Sequence, residues 1–124
     1  MRILYIDDDH EDIEIFHDAV KAVDPSIEYL SARNGNDALS YLHSTDTLPD
    51  YLVLDINMPG MDGKSCLQEV RKHRKFDKIN VVIYSTNGFQ SDIDQIEALR
   101  AKFVRKANSF HDLCEMIRSM ASEE

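Results

Sequence analysis

The sequence predicts an α/β protein built on a doubly wound parallel sheet, and three observations carry that expectation. Short apolar runs alternate along the chain with segments of helical period. The central run, Tyr51–Leu54, is continuously apolar, as suits a strand covered on both faces. The connections are short, so five strands alternate with five helices and the crossovers make neighbouring strands parallel.

Taken in order, Arg2–Ile6 is a β-like run that ends at Asp7-Asp8-Asp9. Ile13, Phe16 and Val20 recur at helical spacing and define a helix closed by Asp24-Pro25, with acidic residues at its start where the dipole favours them. Ile27–Leu30 reads as the second strand, and Asn34-Gly35 leads into a helix with Ala38, Leu39 and Leu42 on one face. Pro49-Asp50 breaks the chain before the third strand, Tyr51–Leu54, and the Pro and Gly residues that follow cannot continue it. Cys66, Leu67 and Val70 mark a third helix. Its end carries the basic run Arg71-Lys72-His73-Arg74-Lys75, an ordinary place for cations. Val81–Tyr84 is a fourth strand stopping at Ser85-Thr86-Asn87-Gly88, and Ser91-x-x-Asp94 is read as the opening of a helix with Ile93, Ile96 and Leu99. Phe103-Val104 is a short fifth strand ending at Lys106. The last helix opens near Ser109-x-x-Asp112, carries Phe110, Leu113, Ile117 and Met120, and frays at Ser122-Glu123-Glu124.

Composition narrows the function classes. A chain of 124 residues with 43% hydrophobic content buries a core of one domain, expected over residues 1–124. A formal net charge of −9 argues against direct nucleic-acid binding and against an anionic membrane surface. Cys66 and Cys114 lack metal-type spacing and read as reduced core thiols. With no membrane-length apolar run and no signal-peptide layout, the cytoplasm is the expected compartment.

Parallel strands place all their C-terminal tips along one edge, so Asp7, Asp8, Asp55, Ser85 and Lys106 are expected to converge there. Three carboxylates brought together repel unless some protonate or a divalent cation sits among them. All-oxygen ligands without nearby His or Cys favour Mg²⁺, or Mn²⁺, over zinc, and Mg²⁺ keeps room for phosphate oxygens. A carboxylate in such a site can act as nucleophile toward a phosphoryl group, while a metal, a lysine and a hydroxyl neutralise the other oxygens.

With those roles assigned, the chain resembles a two-component response regulator receiver domain, of the stand-alone CheY-like type, over essentially its whole length. Ile3-Leu4-Tyr5-Ile6-Asp7-Asp8-Asp9 resembles the family's first strand and acidic pair. Leu54-Asp55-Ile56-Asn57-Met58-Pro59-Gly60-Met61-Asp62-Gly63 resembles its phosphoacceptor strand and loop, the most specific of the matches. The resemblance implies a flavodoxin-like three-layer sandwich of five βα units with strand order 2-1-3-4-5. It implies that Asp55 accepts a phosphoryl group from a phosphohistidine donor, a histidine kinase or phosphotransfer protein. Asp8, Asp55 and the backbone carbonyl of Asn57 would hold Mg²⁺, with Asp7 reaching it through water. Lys106 and Ser85 would contact phosphoryl oxygens, and Phe103 would turn inward behind Ser85 as a rotamer switch. That movement would reshape the fourth helix, fifth strand and fifth helix, which would present the output to a downstream protein target or pair two copies of an otherwise monomeric chain.

The chain departs from the family pattern at several points. Ala107 stands where a proline, usually joined by a cis bond, is common; the Lys106–Ala107 bond is expected cis although that costs roughly 3–4 kcal/mol over trans for a non-proline residue. A trans bond would swing the backbone before Asn108 and displace the Lys106 ammonium. Residues 98–103 lack the glycine commonly found before the fifth strand, Thr86 adds a methyl where alanine is common, and Asn57 and Asn87 occupy positions that tune the hydrolytic water.

Duller readings stand beside these. Taken alone, Asp7–Asp9 is as well explained as a solvated helix start, Lys106 as a surface lysine, Ser85 as a strand cap and Phe103 as core. A calcium loop Asp7-x-Asp9-x-Glu11 fails because Asp12 stands where glycine is required. The five histidines are expected to face solvent, with His10 near enough to the acidic pair to tune access, and Met58, Met61, Met116 and Met120 to pack. The function expected is a phosphorylation switch that is not an enzyme toward external substrates. The alternatives are an Asp-nucleophile phosphohydrolase, disfavoured because Asn57 stands where such enzymes place a second acid, and a receiver-like scaffold that is never phosphorylated.

Overall fold

The structure, a computed structural model, describes residues 1–58, 60–86, 88 and 90–122. Five parallel strands, β1 (Arg2–Ile6), β2 (Glu28–Ala32), β3 (Tyr51–Leu54), β4 (Asn80–Ser85) and β5 (Ala101–Arg105), pair in the order β2-β1-β3-β4-β5. The helices between them are α1 (His10–Val23), α2 (Gly35–Ser44), α3 (Gly63–Arg71), α4 (Gln90–Ala98) and α5 (Phe110–Ser122). This is the doubly wound, flavodoxin-like arrangement that the alternation of runs predicts, with β2 beginning one residue later and ending two residues later than expected.

Because side chains alternate along a strand, each strand feeds two cores. On one face Leu4, Ile6, Leu52, Leu54, Val81 and Ile83 pack against α2, α3 and Ile96 of α4. On the other, Tyr5, Val53, Val82 and Tyr84 pack against Phe16 of α1 and Leu113 and Ile117 of α5. Met58 and Met120 are buried in these cores, and Met61 and Met116 pack against them. Cys66 and Cys114 are free buried thiols in opposite layers. No helix among the described residues is long and apolar enough to cross a membrane.

Four sequence expectations change. The Lys106–Ala107 bond is not cis, for the described residues contain no cis peptide. Alanine, unlike proline, has no intrinsic tolerance for cis and retains an N–H, which donates to the Tyr84 hydroxyl at 3.0 Å. Ser91 does not cap α4, which already begins at Gln90, whereas the expected Ser109 cap is present, its hydroxyl accepting the Asp112 N–H at 3.1 Å. Four of the five histidines face solvent as expected, but His73 is half-buried, meeting His43 edge-on at 4.7 Å and packing with it against Phe76, while His10 pairs with Glu14 at 3.0 Å. Residues Pro59, Asn87, Glu123 and Glu124 lie outside the described residues, and with them the expected roles of Asn87 and the fraying of the last two positions.

The fourth concerns the basic run, which is not uniform. Arg71, the last residue of α3, turns inward. Its Nε donates to the Leu99 carbonyl at 2.9 Å, and its terminal nitrogens donate to the carbonyls of Phe76, Ile79 and Arg100 at 3.1, 3.0 and 3.0 Å. It thereby ties the end of α3 to the approaches of β4 and β5. Arg100 occupies the glycine-poor entry to β5 with a φ of 58°, the left-handed region that glycine adopts without cost.

Candidate functional site

The residues that end the strands are placed by one repeated device. Each continues the backbone ladder for one bond past its own strand: Asp7 N–H donates to Ala32 O at 3.2 Å, Asp55 N–H to Ile6 O at 3.0 Å and Lys106 N–H to Ser85 O at 2.8 Å. The strand tips are thus fixed against each other before any side chain acts. Behind Asp55, Gly63 brings the start of α3 close, its N–H donating to Ile56 O at 3.0 Å; a Cβ on Gly63 would overlap the Asp55 carbonyl. Ser85 is fully buried at the tip of β4, on the strand beside Asp55. Phe103, on β5, is half-buried with its ring against Gly88, where a Cβ would strike it.

Asp7, Asp8 and Asp55 each offer one carboxylate oxygen to a common point, these atoms lying within 4.8 Å of one another. Asp7 and Asp55 are buried and Asp8 is exposed, so the group opens to solvent on one side. The predicted convergence is therefore present for all three carboxylates. Lys106 joins them unevenly: its Nζ lies 2.9 Å from Asp12 Oδ2, 3.1 Å from Asp7 Oδ2 and 3.9 Å from Asp55 Oδ2. The expected displacement by a trans Lys106–Ala107 bond is partial, since the ammonium reaches the site but hydrogen-bonds to Asp7 and Asp12 rather than Asp55.

The electrostatics separate the carboxylates. Burial pushes Asp7 up, but the Asp9 N–H, the Tyr5 hydroxyl and Lys106 outweigh it and hold the group below its ordinary range. The Tyr5 ring stacks on Phe16 at 4.3 Å, which aims its hydroxyl at Asp7 Oδ2 at 2.7 Å. Asp55 accepts from the Asn57 N–H at 3.4 Å, a long bond. Burial pushes Asp55 up; Lys106 pulls it down, Asp7 and Asp8 push it up again, and the carboxyl settles at about 6. Lys106 is itself opposed by burial, but the Asp12 hydrogen bond and the charges of Asp7 and Asp55 raise it above its ordinary value, so it stays an ammonium.

One cation among four carboxylates leaves the cluster anionic, and its donors are all oxygens. That is the chemistry of a hard divalent cation, and the residues present fit one. Two participants escape the sequence reading. Tyr5 looks like core, and Asp12 enters only as the residue that spoils a calcium loop. The available signal for Asp12 is its place in the first turn of α1, directly after the acidic end of β1.

Comparison with known proteins agrees with this geometry. The family model described as response regulator receiver domain matches residues 3–118. A curated relative, the sensor histidine kinase CheAY of Helicobacter pylori, is 30% identical over 117 residues, 94% of this chain but only 14% of that protein. Response regulator Rcp1 of Synechocystis is 24% identical over 126 residues, covering 97% of this chain and 86% of that one. The Mn²⁺-bound form of Rcp1 has a similar fold, with a TM-score of 0.84 at 24% identity over 98% of this chain and 91% of that one.

Proposed function

Since the chain belongs to the response regulator receiver domain family, whose part in two-component signalling is that of phosphoacceptor, we propose that Asp55 is the residue phosphorylated. The observation that carries this reading is the asymmetry among the carboxylates: Asp7 holds hydrogen bonds from Tyr5, Asp9 and Lys106, while buried Asp55, 3.9 Å from Lys106, is left with little compensation and an oxygen facing the cluster. A carboxylate so placed is available as a nucleophile.

In the reaction, a carboxylate oxygen of Asp55 attacks the phosphorus of a phosphohistidine on a histidine kinase or phosphotransfer protein. The P–O bond forms as the P–N bond breaks, and the electron pair leaves with the imidazole, which takes up a proton. Asp8, Asp55 and the Asn57 carbonyl would hold a Mg²⁺ or Mn²⁺ ion, with Asp7 reaching it through water, and the ion would supply charge that neutralises the phosphoryl group. Lys106 leaves Asp12 and Asp7 to pair with one phosphoryl oxygen, and the Ser85 hydroxyl donates to another. Phe103 follows Ser85 inward, and the surface of α4, β5 and α5 changes shape. That surface binds a downstream protein or a second copy, so the output is altered protein binding and not turnover of an external phosphate ester.

Incubation with a small phosphodonor and Mg²⁺, followed by intact mass measurement, tests the acceptor. The native chain gains one base-labile phosphate and Asp55→Asn gains none; equal uptake by both sinks the assignment.

A further inference from the structure

Lys106 leans away from Asp55. Its tight partners, Asp12 Oδ2 at 2.9 Å and Asp7 Oδ2 at 3.1 Å, lie on the α1 side of the site, and so does the Tyr84 ring, whose centroid is 5.8 Å from the ammonium. Asp55 Oδ2, at 3.9 Å, is beyond hydrogen-bond distance. Asp7 has other donors in Tyr5 and Asp9. The Asp12 carboxylate, by contrast, has Lys106 as its ion-pair partner and accepts no other hydrogen bond recorded among the described residues. It sits in the first turn of α1 and, with Lys106, Tyr84 and Ala107, lines a cavity of about 360 Å³ between α1 and α5.

Resting on the phosphoacceptor reading, we propose that Asp12 is a positioning residue that holds Lys106 on the α1 side and competes with the phosphoryl group for the same ammonium. The lysine then has two positions, one against Asp12 and one against an oxygen on Asp55, and only the second serves the phosphorylated state. Whatever free energy Asp12 contributes to the first position is lost when the second is taken, so Asp12 sets how readily the site accepts a phosphoryl group. The pair is charge-assisted, which strengthens it, and partly solvated, which limits it. Asp12 is thus a tuning element that needs no contact with the phosphoryl group.

The test is beryllofluoride, which mimics the phosphoryl group, titrated in excess Mg²⁺ and read by ¹⁹F resonance for the native chain, Asp12→Asn, Lys106→Gln and the double variant, with Asp55→Asn as control. Asp12→Asn is expected to bind roughly three- to tenfold tighter than native, the scale of a partly exposed charge-assisted pair. On the Lys106→Gln background the same change is expected to move affinity by less than about twofold, because the competition acts through the lysine. The Asp12 carboxyl carbon resonance shifts on ligand addition in the native chain and stays put in Lys106→Gln. Native binding with Asp12→Asn unchanged or weaker overturns the inference alone. An equal gain on both backgrounds also overturns it, since Asp12 then acts only as a repelling charge. If the native chain does not bind, or Asp55→Asn binds as well, the phosphoacceptor reading falls and this inference with it.

Discussion

Two partly buried cations flank β5, and they are bound in opposite ways. At the strand's entry the Arg71 guanidinium meets four backbone carbonyls whose positions are set by the surrounding loops. Near its exit the Lys106 ammonium is contested by the carboxylates of Asp12, Asp7 and Asp55 at 2.9, 3.1 and 3.9 Å. At Arg71 every one of the four carbonyls has a guanidinium donor, so cation and acceptors are in balance. At Lys106 acceptors outnumber the cation, so its position is a choice among near alternatives. Matched valence makes a fastener; a surplus of one sign makes a site that an added charge can reorganise.

The largest expected effect breaks the fastener. Arg71→Met leaves four carbonyls without their donor, and the unfolding free energy measured in urea is expected to fall by about 2–4 kcal/mol. Adding Mg²⁺ should raise the variant and the native chain equally and leave the gap between them unchanged; a gap that narrows would mean that the two cations are not separate devices. The next effect is at Asp55, whose folded pKa of about 6 stands above the ordinary 3.8 because burial disfavours its charge. Folding must therefore tolerate an unfavourable carboxylate above pH 6, and that penalty fades as pH falls from 6 toward 4. With metal chelated, Asp55→Asn is expected to be more stable than native by about 2 kcal/mol at pH 7, the scale of a shift of about two pKa units after allowance for relaxation. The gap should close near pH 4, and a gap independent of pH would refute the cause given.

How much of this was legible follows the same division. The strand tips were legible because a covered strand is a continuous apolar run that must stop, and the residue at the stop is read directly: Asp7, Asp55, Ser85 and Lys106. Their meeting follows from parallel topology, which the alternation of elements implies. Arg71 was not legible, because a basic residue at the end of a helix satisfies the dipole whether it points out or in. Its inward turn depends on where the Phe76, Ile79, Leu99 and Arg100 carbonyls lie, and those belong to a short 3-10 turn and to connections without amphipathic periodicity. Asp12 stayed hidden because its partner is distant in sequence, reached only once α5, which follows Lys106, packs against α1. The Lys106–Ala107 bond was read from the family's proline, whereas the Tyr84 hydroxyl that takes the Ala107 N–H is visible only in three dimensions.

Lys106→Gln sharpens the comparison from the other side. In metal-free protein the substitution leaves Asp7, Asp8, Asp12 and Asp55 without their cation, and stability is expected to fall by about 1–2 kcal/mol, as it does when one partner of a partly buried charge cluster is removed. Mg²⁺ should restore most of it, because a divalent cation supplies the missing charge at the same place. Melting temperatures with and without Mg²⁺ give the comparison directly: the Mg²⁺-induced rise is expected to be larger in Lys106→Gln than in the native chain and unchanged in Arg71→Met.

The smallest effect lies inside the fastener. Arg100 holds a φ of 58°, a conformation that costs an L-residue about 1 kcal/mol, and its carbonyl accepts from Arg71 at 3.0 Å. Glycine adopts that conformation freely, but it also adds freedom to the unfolded chain, so the two effects partly cancel. The Arg100–Asp77 pair, 3.6 Å apart and exposed, adds little to keep arginine there. Arg100→Gly is therefore expected to raise the unfolding free energy by about 0.5 kcal/mol. On the Arg71→Met background the gain has a defined direction. Without the guanidinium the Arg100 carbonyl is no longer held, so the loop can relax Arg100 toward negative φ, glycine relieves less strain and its benefit should shrink toward zero. A gain that persists undiminished would show that the strain at Arg100 is imposed by the α4–β5 turn itself and not by the clamp that holds its carbonyl.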